Sequence, residues 1–187
     1  VFGSSVVAAF TAASKVENLS TQTMPTLGTA MSTYCGQNLG AGRHDRIYEG
    51  MKKGFYICIL LAAGASVVCV FLGRFIVSWF VSNPSEEIFT YAMQYLTTIA
   101  WFMLPLAWIF LYRNALQGLN RGFVPMISGV VELVCRLLVI MITLKPFGYW
   151  AVRLASPITW IFTGLLLIVT YYVWENKDRR KHKKIKA

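Results

Sequence analysis

Glu132 and Arg136 stand four residues apart in the run "FVPMISGVVELVCRLLVIMITL" (123–144), which is otherwise apolar. On a helix that spacing puts both side chains on one face. Both fall near the middle of the run. An ionisable residue inside an apolar span is expensive to keep there and is a functional-site hypothesis by default. Two chemistries stand. The pair can lock its helix against a neighbour, each charge neutralising the other. It can also handle a proton, a cation or a substrate.

A second pattern lies near the start of the chain. Thr11, Ser14, Asn18, Gln22, Thr26, Thr29, Thr33 and Gln37 recur at steps of three and four, which is one face of an α-helix. At 1.5 Å per residue this stripe is about 40 Å long, more than the roughly 30 Å of a bilayer's hydrocarbon core. Hydroxylated and amide side chains can be interhelical glue, or they can be the wall of a water-filled cavity. Pro25, in mid-stripe, fits a bend. Further on, Gln94 and Thr98 make a small polar face one turn apart. Tyr95, Phe102 and the bend expected at Pro105 can line a cavity and meet cations through ring faces, or simply pack.

Other chemistries find no support. The cysteines at 35, 58, 69 and 135 have no zinc or redox spacing and read as small apolar fillers. His44 and His182 have no partner at ligand spacing, so no metal site is expected. No nucleophile elbow, His-Glu-x-x-His or paired-aspartate motif is present. The chain is not expected to be an enzyme, and no cofactor is implied.

Long apolar blocks must position these residues. They cover 55–81, 88–112, 123–144 and 154–174, in a chain of 187 residues that is 56% apolar and only 14% charged. Mean hydropathy is +0.54. A span needs about 20 mostly apolar residues, so the fold class is an all-α, polytopic transmembrane bundle. Five helices are predicted, at about 6–37, 45–81, 84–118, 123–144 and 149–174, followed by a basic tail at 175–187. The first is too polar for hydropathy alone to find. Asp45 is a plausible N-cap of the second. Asn83, Pro84 and Glu86 read as a capping box for the third.

The net charge of +10 is unevenly spread. Arg43, Arg46, Lys52 and Lys53 form one group, Arg113 and Arg121 a second, and seven tail residues a third. Basic residues concentrate in cytoplasmic loops. The turn near residue 42, the turn near residue 120 and the C-terminus are thus expected in the cytoplasm of a cell-membrane protein. The charge is a topology record rather than a nucleic-acid footprint, and the tail can lean on anionic membrane lipids at about 1 kcal/mol per basic residue. This alternation puts the N-terminus outside. With no signal peptide and a start at Val1, an upstream segment is expected.

The stretch "YCGQNLGAG" (34–42) has a glycine pattern reminiscent of a phosphate loop, but a long helix precedes it and no Lys-Ser/Thr follows. Its glycines are expected to end the first helix and reverse the chain.

The run "VVAAFTAASKVENLSTQTMPTLGTAMSTYCGQNLGAGRHDRIYEG" resembles the eighth helix and following loop of multidrug and toxic compound extrusion (MATE) transporters. "RNALQGLNRGFVPMISGVVELVCR" resembles their tenth-to-eleventh helix region, and the resemblance extends over essentially the whole chain. It implies that the five helices are the last of twelve, forming a C-terminal lobe without its first helix. The fold implied is two six-helix lobes related by a pseudo-two-fold axis. The implied function is a secondary active exporter of multidrug and organic-cation type. It would antiport small amphipathic or cationic substrates against H+ or Na+ by alternating access, with the N-terminal lobe of the same protein as partner. The resemblance implies coupling-ion acids on the seventh and tenth helices or on the first; the first and seventh are absent here, and the equivalent zone of the tenth, around Pro105 and Leu106, has no acid. Coupling is therefore expected through the upstream lobe, with Glu132 as the alternative. Two other readings remain: a lipid-linked saccharide flippase of the same superfamily, which would want a more cationic cavity than Lys15 and Arg136 supply, and a non-transporting scaffold, in which the stripe would be packed and dry. The expected substrate and ion pathway comprises Asn18, Gln22, Pro25, Thr26, Thr29, Gln94, Tyr95, Phe102, Glu132 and Arg136.

Overall fold

A computed structural model describes residues 4–81 and 85–186, with side chains at 5–81 and 85–181. The elements are α1 (Ser4–Thr21), α2 (Thr23–Gly40), α3 (His44–Val67), a π-helical turn (Val68–Leu72), α4 (Gly73–Phe80), α5 (Glu86–Ala100), α6 (Met103–Gly118), α7 (Phe123–Phe147) and α8 (Tyr149–Lys186). No strand occurs among the described residues. By length and composition, the segments His44–Phe80, Phe123–Phe147 and Tyr149–Lys181 can each cross a membrane, and α5–α6 together make a bent fourth span. The bundle is helical and of membrane type, as the apolar blocks require.

The predicted first helix is two helices, broken at Gln22. Pro25 explains this: it has no N–H to offer the carbonyl of Thr21, and its ring crowds that carbonyl. The predicted third helix is likewise two, bent by 54° between Ala100 and Met103, one turn before Pro105. The bend exposes the carbonyl of Ala100, which accepts a hydrogen bond from Ser66 Oγ at 2.7 Å. Ser66 lies next to the π turn, where the α-helical ladder of the second span is re-registered. α1 packs along α5 and α2 along α6, so the two broken spans run side by side in the same direction.

The second pair meets through a seam of small residues. A Cβ on Gly118 would collide with the Ser32 backbone, and one on Gly28 would run into the Phe110 carbonyl and the Asn114 side chain. Gly36 faces the Gly118 carbonyl in the same seam. Gly28, Ser32 and Gly36 are spaced by four, so α2 presents a groove that lets α6 approach backbone to backbone.

The chain ends α2 as its glycines predict. Arg43 N–H bonds to Asn38 O at 2.8 Å and Gly42 N–H to Leu39 O at 3.0 Å, with Gly42 at φ +68°. This is a Schellman cap. α6 closes in the same way around Asn120, at φ 59°, with Arg121 N–H bonded to Leu116 O at 2.9 Å.

Four expected helix starts and ends differ. Asp45 is not the cap of α3: the helix begins at His44, and Asp45 sits in its first turn, where its charge suits the helix dipole. At α5 the cap is Ser85, whose side chain accepts from Ile88 N–H; the expected caps at Asn83 and Pro84 lie outside the described residues. α7 runs to Phe147 and turns at Gly148, φ 52°, because Pro146 in the last turn leaves the earlier ladder intact. α8 does not stop near Trp174 but continues to Lys186. Its extension is fastened to the start of α3: Tyr48 Oη donates to Asp178 at 2.6 Å, His44 Nδ1 lies 2.7 Å from the same carboxylate, and the Arg179 guanidinium covers the Tyr48 ring at 3.8 Å. The Gly42 turn, the Asn120 turn and the C-terminal part of α8 therefore lie at one end of the bundle.

α7 is peripheral. Ser128 is its one buried residue, and it leans on α8 with a broad apolar face exposed.

Candidate functional site

The stripe on α1 and α2 turns away from the bundle. Ala9, Ala12, Ala13, Val16, Met24 and Met31 carry the opposite, buried face. Every stripe residue except half-buried Ser14 is exposed, including Asn18, Gln22, Thr26 and Thr29; Pro25 is half-buried at the break. The threonines close their own hydrogen bonds: Thr11 donates to Val7 O at 2.9 Å, Thr29 to Pro25 O at 3.1 Å and Thr33 to Thr29 O at 3.2 Å. The amides of Asn18, Gln22 and Gln37 are left to seek partners outside the helix. A dry, fully packed stripe is not what these residues form.

Behind the stripe stand charged side chains of three helices and a tyrosine of a fourth. Glu132 on α7 lies between two arginines, 2.7 Å from Arg113 Nη2 on α6 and 3.3 Å from Arg136 Nη2 on its own helix. The i, i+4 pair is thus real, and it is the lesser half of a three-member cluster. Arg113, read from sequence as a loop charge, supplies the shorter contact. The Nε atoms of both arginines are buried without partners, so the cluster keeps donors to spare.

Glu17, on α1 beside the stripe, accepts a hydrogen bond from Tyr95 Oη at 2.9 Å. Tyr95 is buried, with the Phe10 ring edge-on at 5.1 Å. Tyr95 and Glu17 thus link α5 to α1, and Arg113 and Glu132 link α6 to α7. Sequence reasoning found Tyr95, Glu132 and Arg136 and missed Glu17 and Arg113. Glu17 was legible: it is an acid within a membrane-length helix, one residue from Asn18, though off the stripe's own register. Arg113 was not, since only the crossing of α6 and α7 brings it to Glu132.

The remaining expected residues lie elsewhere. Phe102 is half-buried at the α5–α6 bend. Gln94 belongs to a different group: its Oε1 accepts from Arg153 Nη1 at 3.3 Å, while Thr98 Oγ1 accepts from Arg153 Nε at 3.0 Å. Arg153 is buried, an internal cation beyond Lys15 and Arg136; Lys15 itself is exposed.

Chemically, Glu17 can take up a proton or face a cation, because its partner is a hydroxyl and not a fixed charge. Glu132 is compensated twice and suits structural locking better. Among the described residues no group of three or more His, Cys, Asp or Glu could hold a metal ion, and Cys35, Cys58 and Cys69 are buried free thiols.

The sequence model of the MatE family matches residues 1–142. The chain is 26% identical over 174 residues to a Shewanella oneidensis protein named "FAD transporter", covering 90% of this chain and 36% of that one. It is 26% identical over 165 residues to a Bacillus subtilis protein named "Probable multidrug resistance protein YpnP", covering 88% of this chain and 33% of that one. The chain spans about a third of the length of these curated relatives. The resemblance read from "GQNLGAG" and the stripe before it thus holds over most of the sequence, and the chain belongs to the MatE family.

Proposed function

We propose that this chain is the C-terminal part of an ion-coupled membrane exporter of small amphipathic compounds, working by alternating access together with an upstream lobe. The observation that carries this reading is the exposed polar face of α1–α2. A face of this length, with exposed amides that make no hydrogen bond within the bundle, suits a water-filled path and is costly against hydrocarbon. Its break at Gln22 lies alongside the bend of α5–α6, which supports bending of both spans during transport. Such machines place their sites near the midplane, between repeats.

Cell-membrane location, with the Gly42 turn, the Asn120 turn and the C-terminus in the cytoplasm, follows from the basic residues at that end. For coupling by H+ or Na+, Glu17 joins the upstream lobe as a source of carboxylate, ahead of Glu132. The exposure of Gln22 and Thr26 speaks against a scaffold role.

The test is efflux by the full-length protein in proteoliposomes, with sodium and proton gradients dissipated separately. Ethidium is the organic-cation probe and FAD the probe suggested by the Shewanella relative's name. Gradient-driven movement of either, reduced by Gln22→Leu with Thr26→Leu, supports the proposal. Movement of neither under either gradient overturns it.

A further inference from the structure

Arg153 is the only charged side chain in the buried class among the described residues, at 8% exposure. It has no carboxylate within ion-pair distance among them; its hydrogen bonds go to Thr98 Oγ1 and Gln94 Oε1, both neutral. The internal Glu132 differs: it lies between two cations. Burying a cation against neutral acceptors alone leaves much of its desolvation cost standing.

The side chain is also held rigidly. Thr98 spends its hydroxyl proton on Gln94 O, at 2.7 Å, so its lone pairs turn to the guanidinium. The Trp150 ring covers one guanidinium face at 4.1 Å. What remains of the fork borders an open cavity of about 450 Å³, within the range of about 300–1,000 Å³ usual for small-ligand sites. Its other walls are Arg74, Phe89, Thr90, Met93, Gln94 and Thr97. Arg74 is shared with Glu86, at 2.9 Å. Two arginines against one carboxylate leave an excess positive charge, beside an aromatic ring and a thioether.

We propose that this cavity between α4, α5 and α8 binds an anionic group, a phosphate or carboxylate carried on an apolar or aromatic body, through the Arg153 fork. Gln94 and Thr98 are positioning residues that aim it, and Arg74 is a second, weaker contact. Two sources share this chemistry: a soluble amphipathic anion and the headgroup of an anionic lipid. The site stands independently of the transport reading, since it needs no gradient to be occupied.

Calorimetric titration of the full-length protein in neutral detergent decides it. Phenyl phosphate is the soluble probe, phenol its neutral control, and phosphatidylglycerol in mixed micelles the lipid probe. The expected result is saturable binding of phenyl phosphate and not of phenol. Affinity should fall about ten-fold or more in Arg153→Gln, as loss of a charge-assisted contact implies, and less in Arg74→Gln. Displacement of phenyl phosphate by phosphatidylglycerol assigns the site to a lipid headgroup, and its persistence assigns the site to a solute. Arg153→Lys, which keeps the charge and loses the fork, should lie between wild type and Arg153→Gln. No saturable binding of either anionic probe by the wild-type protein overturns the proposal whether or not the variants fold, and so does equal binding by a folded Arg153→Gln protein.

Discussion

The Tyr95 hydroxyl donates to the Glu17 carboxylate across the α1–α5 contact at 2.9 Å. No ion-pair partner lies within reach of Glu17 among the described residues, so this hydroxyl is its nearest support. Tyr95→Phe should lower stability in detergent by about 1.5–3 kcal/mol, the range for a hydrogen bond to a charged group, measured by thermal unfolding. Glu17→Gln keeps the shape and an acceptor for the hydroxyl, and should be milder. If Glu17 exchanges the coupling proton, Glu17→Gln should nevertheless lose proton-driven efflux more completely than Tyr95→Phe does. That opposite ordering of stability and flux is the informative outcome.

The Arg113–Glu132–Arg136 cluster yields a double-mutant prediction. Arg113 is closer to Glu132 than Arg136 is, at 2.7 against 3.3 Å, and less exposed, at 27% against 39%. The coupling energy of the Arg113→Gln, Glu132→Gln cycle should therefore exceed that of the Arg136→Gln, Glu132→Gln cycle. Glu132→Gln alone leaves two cations facing each other. It should be destabilising, though below the roughly 3–5 kcal/mol of a fully buried pair, because these side chains are partly solvated. A larger coupling in the Arg136 cycle would place the cluster's weight within α7 instead of between helices.

Gly118→Ala should destabilise the α2–α6 seam by about 1–3 kcal/mol, the usual cost of forced overpacking, since its Cβ meets the Ser32 backbone. Gly129, on α7, has nothing within 4 Å of where a Cβ would stand. Gly129→Ala should be neutral or stabilising by about 0.5–1 kcal/mol. Thermal unfolding of the two variants side by side checks both signs.

Asp178→Asn should loosen the extension of α8, whose grip on Tyr48 and His44 runs through that carboxylate. Losing about 1–2 kcal/mol of local stability raises the open population about ten-fold, and cleavage of the opened segment rises with it. Limited trypsin digestion at Lys177 to Lys181 is the measurement. An unchanged cleavage rate would mean that Trp174 and its aromatic neighbours hold the extension instead.

The four apolar blocks, the Gly42 reversal and the Glu132–Arg136 pair were legible in the sequence because each depends on residues within a few turns of one another. Pro25 and Pro105 were visible too, yet the sequence could not say whether they bend or break a helix. That depends on rescuers such as Ser66, which reaches Ala100 O from another span. Arg153 escaped notice for a related reason. Close to a helix start it resembles an interfacial charge, and only the packing of α5 against α8 buries it. The site is therefore less legible than the fold: its members come from different helices, and no spacing records which helices touch.

The threonine face of α1–α2 has one more consequence. Each of its inward-bent hydroxyls has already committed its proton to the preceding turn, so the surface offers methyl groups and spare lone pairs but few free donors. Such a surface grips neither water nor oil firmly. A molecule passing along it would meet little stickiness and little specificity. Discrimination would fall to the few groups that still reach outward, Asn18, Gln22 and Gln37.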